Sequence, residues 1–139
     1  MANPAMSVRA VRLSQPSVIA IVDDDQAVRE ALFDLLQVEG LPARVFENGA
    51  AYLADANCME FGCVITDVRM PEMDGLELQR RLRARGSAIP VIFITSSVND
   101  ATREQALSCG AAAWFTKPVA DEELLFELQA ALHSRNIGR

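Results

Sequence analysis

Between Ser17 and about His133, short apolar runs alternate five times with amphipathic stretches, and this alternation constrains the fold more than any other feature. The run Val18–Val22 is apolar throughout, as is typical of a strand buried on both faces of a sheet. After it, apolar residues recur at helical spacing: Val28, Ala31, Leu32, Leu35 and Leu36. Strands that alternate with helices of this length form a parallel sheet with right-handed crossovers. We therefore predict an α/β fold, a single (βα)5 doubly wound parallel sheet.

Turn and capping residues set the predicted bounds of these elements. The predicted strands are 17–22, 43–46, 62–66, 90–95 and 111–115. The predicted helices are 28–36 with a stop at Gly40, 49–56 after Asn48, 76–85 after Asp74, a helix from Asn99 or Asp100 to Cys109, and a helix from Asp121 to about His133. We assign residues 1–16 to a flexible arm, 17–135 to the domain and 136–139 to a tail.

Length and charge exclude several classes of protein. A chain of 139 residues fits one domain, and its net charge of -6 disfavours direct nucleic-acid binding by this segment, which needs clustered Lys and Arg. The longest apolar runs fall far short of the ~20 residues of a membrane span. The first seventeen residues lack the apolar core of a signal peptide. We expect a cytoplasmic protein without membrane contact.

The cysteines and the single histidine offer little catalytic chemistry. Cys58, Cys63 and Cys109 match neither a disulfide framework nor a zinc motif, and we interpret all three as small core residues. His133 is expected at the surface near a helix end, without a role.

Polar side chains follow four of the predicted strands, at the edge where a doubly wound sheet binds its ligands. Asp23 and Asp24 follow the first strand, Asp67 the third, and Lys117 the fifth, while Thr95 ends the fourth. Crowded carboxylates need a cation, and hard oxygen ligands in this number suit Mg²⁺ (or Mn²⁺). A carboxylate beside such an ion can attack phosphorus, with an ammonium and a hydroxyl to receive the charge on the phosphoryl oxygens. This edge is therefore predicted to support phosphoryl transfer.

Four motifs in order resemble those of response-regulator receiver domains from two-component signalling systems. The motifs are Val22–Asp25, Ile65–Gly75 with its Asp-Val-Arg-Met-Pro segment, Ile94–Ser96 and Phe115–Pro118. The resemblance covers residues 17 to about 133 and is closest to the nitrogen-fixation and nitrate-response regulators. It implies the flavodoxin-like strand order 2-1-3-4-5. Relatives of this type commonly carry a DNA-binding domain beyond this segment.

The resemblance also implies a role for each residue of the predicted site. Asp67 would accept a phosphoryl group from a sensor histidine kinase or phosphotransfer protein. Asp24, Asp67 and the backbone carbonyl of Arg69 would bind Mg²⁺, with Asp23 acting through water. Lys117 and Thr95 would contact the phosphoryl group, and Lys117–Pro118 would be a cis peptide bond. The chain would then be a phosphorylation-controlled switch, an enzyme only toward its own phosphorylation and dephosphorylation.

A few residues depart from the family pattern or extend it. Trp114 stands where relatives have a smaller switch ring. Its two possible roles are a working switch residue and a simple core aromatic. Asp25 is interpreted as the N-cap of the first helix in preference to a metal ligand. Arg69 and Ser97 flank the phosphoryl position in similar proteins and could tune the access of water. Phe126 lies opposite the apolar stripe of the last helix, so we predict a partner surface there, with a homodimer as one form of it.

Two other functions remain to be weighed against the switch. An aspartyl-nucleophile phosphatase of the haloacid-dehalogenase type would use Asp23 and Asp25, but Gln26-Ala27 departs from that motif. A receiver-like module that binds proteins without being phosphorylated would not need the full set of acids, hydroxyl and lysine. Nucleotide or flavin binding is disfavoured, because the first loop is acidic rather than glycine-rich.

Overall fold

A computed structural model describes residues 17–96 and 99–137, with side chains as far as His133. The predicted arm 1–16, Ser97 and the end of the predicted tail lie outside the described residues. The strands are β1 Ile19–Val22, β2 Ala43–Phe46, β3 Cys63–Thr66, β4 Val91–Thr95 and β5 Ala113–Thr116. The helices are α1 Gln26–Val38, α2 Gly49–Ala54, α3 Gly75–Ala84, α4 Asp100–Ser108 and α5 Asp121–Ile137.

The five strands form one parallel sheet in the order β2-β1-β3-β4-β5, which confirms the predicted fold class. Successive side chains of a strand point to opposite faces, so each strand feeds two apolar cores. On one face, residues such as Val64 and Phe93 pack with Leu78 and Leu82 of α3. On the other face, a second cluster contains Ile21, Ile65 and Ile92 of the sheet, Leu36 of α1, and Leu124 and Leu128 of α5.

Short polar side chains begin four of the helices as predicted. Asp25, Asn48, Asp74 and Asn99 each accept a backbone N–H of the first helical turn. Gly40, Gly86 and Gly110 follow helix ends with positive φ, a conformation that glycine adopts without a Cβ penalty.

Several predicted bounds were wrong by two to four residues; strand β1, for example, begins at Ile19 and not at residue 17. Helix α2 ends at Ala54 because Asp55 is extended and its carboxylate is used by Asn57 N–H and Arg44. Strand β5 begins at Ala113 because Ala111 N–H donates to the Ala106 carbonyl and closes α4. Helix α5 begins with Asp121 itself and continues to Ile137, past the predicted end near His133.

The cysteines are free thiols and only partly fit the prediction. Cys58 and Cys63 are buried, whereas Cys109 is half-buried at the end of α4. His133 is exposed, as expected. Within the described part of the chain, no helix has both the length and the apolar character needed to cross a bilayer.

Candidate functional site

The pairing of β1 with β3 places two carboxylates side by side. Val22 is in register with Thr66, so Asp23 and Asp67, the next residues, leave the sheet together. Lys117, just beyond β5, reaches across β4 toward both of them. Its Nζ lies 3.0 Å from Asp67 Oδ2 and 3.4 Å from Asp23 Oδ2. The topology therefore brings residues 94 positions apart in sequence into one ionic cluster.

Asp24 completes a group of carboxylates that could hold a cation. One carboxylate oxygen from each of Asp23, Asp24 and Asp67 can be chosen so that all three lie within 4.8 Å of one another. Asp23 and Asp67 are buried, whereas Asp24 is exposed and opens the group to solvent. Three hard oxygen donors with an open side fit Mg²⁺, which keeps several of its waters. The residues present therefore suit that ion.

The two oxygens of Asp67 are held by different donors. Oδ1 accepts the backbone N–H of Val68 at 2.6 Å and that of Arg69 at 3.3 Å. Oδ2 accepts from Lys117. Hydrogen bonds from two backbone groups and a cation orient the carboxylate, so its position does not depend on one flexible side chain.

Burial and neighbouring charges shift the protonation of two site residues. Burial raises the pKa of Asp23, and the negative charge of Asp67 adds to that rise, although Asp25 N–H and Lys117 oppose it. Burial lowers the pKa of Lys117, but its hydrogen bond to Asp67 and the charges of Asp23 and Asp67 outweigh burial, so the pKa is raised. Lys117 therefore stays protonated at neutral pH and supplies a fixed positive charge.

Close packing behind Asp67 sets the position of its backbone. The buried Thr66 hydroxyl donates to the Asp67 carbonyl at 2.9 Å. Gly75 begins α3 against the same carbonyl, and a Cβ there would overlap the Asp67 oxygen and approach the Phe93 ring to 3.0 Å. Gly75 N–H also donates to the Val68 carbonyl at 2.8 Å. Neither role was predicted: Gly75 was assigned to the cap of α3 and to the Ile65–Gly75 motif, without its close approach to Asp67. A glycine that opens a helix was the available signal.

Arg29 is a third residue whose role was not predicted. From the first turns of α1, its guanidinium donates to the Asp23 carbonyl at 2.7 Å. This bond ties the end of β1 to α1 beside the carboxylate cluster. An arginine six positions after an aspartate has many other uses, so the sequence carried no specific signal for it.

Thr95 and Trp114 lie on the β4–β5 side of the cluster. Thr95 is fully buried, and its carbonyl accepts Lys117 N–H at 2.8 Å. The peptide bond between Lys117 and Pro118 is cis. Trp114 is half-buried and packs on Phe93, with ring centroids 5.5 Å apart. The indole thus contacts the core, and one edge of it borders a surface depression formed with α4.

The remaining predicted residues are placed as follows. The Arg69 side chain is exposed, and its backbone N–H rather than its carbonyl contacts Asp67. Asp25 caps α1, as interpreted from the sequence. Phe126 lies on α5, outside the carboxylate cluster, and 70% of its surface is exposed. Ser97 falls outside the described residues.

This arrangement has the parts needed for nucleophilic chemistry on an anion. It contains an oriented carboxylate, an ammonium that stays charged, and oxygen donors for a divalent cation. An anionic electrophile needs such cations, because the carboxylates alone would repel it.

Comparison with known proteins gives concordant results. A family model described as the response regulator receiver domain matches residues 19–129. The response regulator protein TodT of Pseudomonas putida is 47% identical over 84% of this chain and 51% of its own length. The transcriptional regulatory protein FixJ of Bradyrhizobium diazoefficiens is 34% identical over 82% of this chain and 56% of its own length. The chain thus spans about half the length of these curated relatives.

Solved structures support the same assignment. The chemotaxis protein CheY4 of Vibrio cholerae superposes with a TM-score of 0.77 at 28% identity, covering 84% of this chain and 99% of that protein. The matched segment contains all five strands and the carboxylate cluster. This chain belongs to the response-regulator receiver domains of two-component systems and is similar to the nitrogen-fixation type.

Proposed function

We propose that Asp67 accepts a phosphoryl group from the phosphohistidine of a sensor histidine kinase or phosphotransfer protein. An Asp67 carboxylate oxygen forms the new bond to phosphorus as the phosphorus–nitrogen bond to the donor's histidine breaks, which leaves an acyl phosphate on Asp67. The observation that carries this proposal is the Asp67 carboxylate, oriented by two backbone N–H groups and 3.0 Å from the Lys117 ammonium.

The other site residues bind and neutralise the incoming group. Asp24, Asp67 and the Arg69 carbonyl would hold Mg²⁺, and Asp23 would act through water. Bound there, Mg²⁺ (or Mn²⁺) would neutralise charge on the phosphoryl oxygens. Lys117 pairs with a phosphoryl oxygen, and the Thr95 hydroxyl hydrogen-bonds another. The buried position of Thr95 at the end of β4 supports this role, since a donor there needs little reorganisation.

Phosphorylation then biases a conformational equilibrium through Thr95 and Trp114. Thr95 is joined to Lys117 through the backbone, and β5 carries Trp114 in register with Phe93 of β4. A displacement of Thr95 toward a phosphoryl group therefore acts on the strand pair that holds the indole. Catalysis by the chain is restricted to its own phosphorylation and dephosphorylation, with Arg69 tuning the access of water.

The geometry favours this function over the rival phosphatase. A phosphatase of the haloacid-dehalogenase type would need both Asp23 and Asp25, after β1, to be available for the chemistry. Asp25, the second acid of that motif, is committed to capping α1. The module that binds proteins without phosphorylation has no specific observation in its favour.

We further propose that the protein regulates transcription as part of a longer chain in the cytoplasm. TodT and FixJ, named as regulators, extend well beyond the matched segment. DNA binding would belong to residues outside this receiver domain, as the acidic charge of the segment suggests. The homodimer through the last helix stays a prediction.

The test is Mg²⁺-dependent labelling by acetyl phosphate, followed by phosphotransfer from a panel of the host's histidine kinases. We expect wild type to gain one phosphoryl group by intact mass and Asp67→Asn to gain none. Asp34→Asn, on the exposed face of α1, is the matched control and should label like wild type. Chelation of Mg²⁺ should abolish labelling.

Equal labelling of Asp67→Asn would refute the assignment of the acceptor. Absence of labelling in wild type with every donor would favour the unphosphorylated module. Labelling that is lost in Asp23→Asn and kept in Asp67→Asn would instead support the phosphatase.

A further inference from the structure

A patch on α5 combines exposed aromatic surface with negative charge. Phe126 is 70% exposed, and a shallow depression beside it is lined by the half-buried Phe115 and by three glutamates: Glu122, Glu123 and Glu127. We call these five residues the acidic α5 face. A single exposed aromatic residue is common, but here Phe126 and Phe115 line one depression that is rimmed by glutamates, and an apolar patch with a polar rim is typical of a contact surface.

The glutamates of this face are not neutralised by the part of the chain that the structure describes. Among residues 17–96 and 99–133, the ion pairs made by Arg44, Arg80, Arg81 and Lys117 all have partners other than Glu122, Glu123 and Glu127. Glu77, by contrast, lies between Arg80 and Arg81. The acidic α5 face therefore favours an occupant that brings both positive charge and apolar surface.

A second copy of this face does not meet that requirement. Symmetric pairing of α5 with α5 would place the glutamates of both copies around the two Phe126 rings. Like charges in contact oppose association unless cations join them. The charge pattern therefore disfavours a homodimer built on this face alone.

The chain itself contains a segment with the complementary character. Val8–Leu13 reads Val-Arg-Ala-Val-Arg-Leu, in which Arg9 and Arg12 alternate with aliphatic residues. This segment lies outside the described residues, and its charge is opposite to that of the acidic α5 face. Its tether to the domain gives it a high effective concentration, so a contact too weak to form between separate molecules can be populated.

The start of the described chain lies within reach of this face. Ser17 and Leu132 of α5 both lie against Gly62. Phe126 precedes Leu132 by six residues, or about 9 Å along the helix. The eight residues from Arg9 to Ser17 span up to about 27 Å when extended, which also covers a path partly round a helix about 10–12 Å wide.

We propose that Val8–Leu13 docks on the acidic α5 face of the same molecule. Arg9 and Arg12 pair with glutamates of that face, and an aliphatic side chain of the segment covers the Phe126 ring. The segment then competes with any partner that uses this surface. The docking does not depend on phosphorylation at Asp67, so failure of the docking proposal would leave the proposed function unaffected, and the reverse also holds.

The test compares amide chemical shifts of the full chain with those of Arg9→Glu/Arg12→Glu. We expect shift differences concentrated on residues 122–127 and at Phe115, and unchanged shifts in the core strands. At about 1 M salt, where the screening length falls to about 3 Å, most of these differences should disappear. Phe126→Ala should reproduce the loss of docking without any change of charge.

A charge swap between the two surfaces provides the more specific test. Glu122→Arg/Glu123→Arg should abolish docking, and its combination with Arg9→Glu/Arg12→Glu should restore the docked shifts. Glu39→Arg, at the C-terminal cap of α1, is the matched control and should leave docking intact. Identical α5 shifts in wild type and Arg9→Glu/Arg12→Glu would overturn the proposal. So would shifts that depend on protein concentration, which would place the segment on a second copy.

Discussion

Helices α3 and α4 cover the same face of the sheet but are attached to it in different ways. Five of the ten residues of α3 are buried, whereas α4 buries only Ala106. The C-terminal end of α4 is instead held by α3: Gln79 donates to the Ala106 and Cys109 carbonyls at 3.1 and 3.3 Å, and Arg83 donates to the Cys109 carbonyl at 3.2 Å. One helix is anchored by apolar packing and the other by polar bonds at one end.

This difference in attachment gives the two neighbouring helices different roles. Helix α3 begins against the Asp67 carbonyl through Gly75, so its packing keeps the acceptor in place. Helix α4 borders Trp114 and has little apolar surface to lose when it shifts. Segments with few buried apolar contacts open at low free-energy cost. The structure therefore combines a firmly held acceptor residue, Asp67, with a neighbouring helix, α4, that is loosely attached to the sheet.

Leucine truncation in each helix should give the largest contrast. Leu82 of α3 is fully buried, so Leu82→Ala should lower the free energy of unfolding by about 2–5 kcal/mol. Leu107 of α4 is 40% exposed, and Leu107→Ala should cost about 1 kcal/mol or less. Urea denaturation of both variants measures the difference. Equal costs would remove the distinction between the two helices.

Breaking the polar attachment should loosen α4 and spare α3. Gln79 is buried, and Gln79→Leu removes its hydrogen bonds to the last turn of α4, at a cost of about 1–3 kcal/mol. We expect hydrogen exchange in wild type to be faster in α4 than in α3, and Gln79→Leu should accelerate it further in α4. Arg80→Leu breaks only an exposed pair with Glu77 and should leave the free energy of unfolding nearly unchanged. Exchange in α4 as slow as in α3 for wild type would contradict this description.

The smallest expected effect is a pH dependence of stability, which arises because Asp23 and Asp67 are crowded together. Burial raises the pKa of Asp23 above its ordinary value of 3.8. The protonated Asp23 carboxyl therefore makes its full contribution to the free energy of unfolding below that value. This contribution is lost as pH rises through the pKa of Asp23 in the folded state. Asp23→Asn should gain stability relative to wild type as pH rises from about 3 to 7. If the urea midpoints of wild type and Asp23→Asn change with pH in the same way, that result would argue against charge crowding at Asp23.

The sequence predicted the fold and the main site because both depend on local patterns and on one topological rule. Continuous apolar runs predicted the strands, and parallel pairing places every strand's carboxyl end at one edge. Asp23, Asp67 and Lys117 meet there, as expected from their positions after the strands. The caps at Asp25 and Asn99 were predictable because they involve only neighbouring residues.

Contacts between distant elements were not predictable in the same way. Arg29 on the Asp23 carbonyl, Gly75 on the Asp67 carbonyl and Gln79 on the end of α4 each join groups that the chain brings together only after folding. Their residue types have many uses, so the sequence pattern does not select one.

The amino-acid sequence by itself determined the class of fold, the order of elements and the identities of the acids and the lysine at the sheet edge. Hydrophobic periodicity and capping are encoded over a few residues, so they can be read directly. Only the tertiary structure decided which oxygen of Asp67 contacts Lys117, how α4 is held and which α5 side chains stay exposed. Those outcomes depend on the packing of side chains from separate elements, and small differences in distance determine which contacts form.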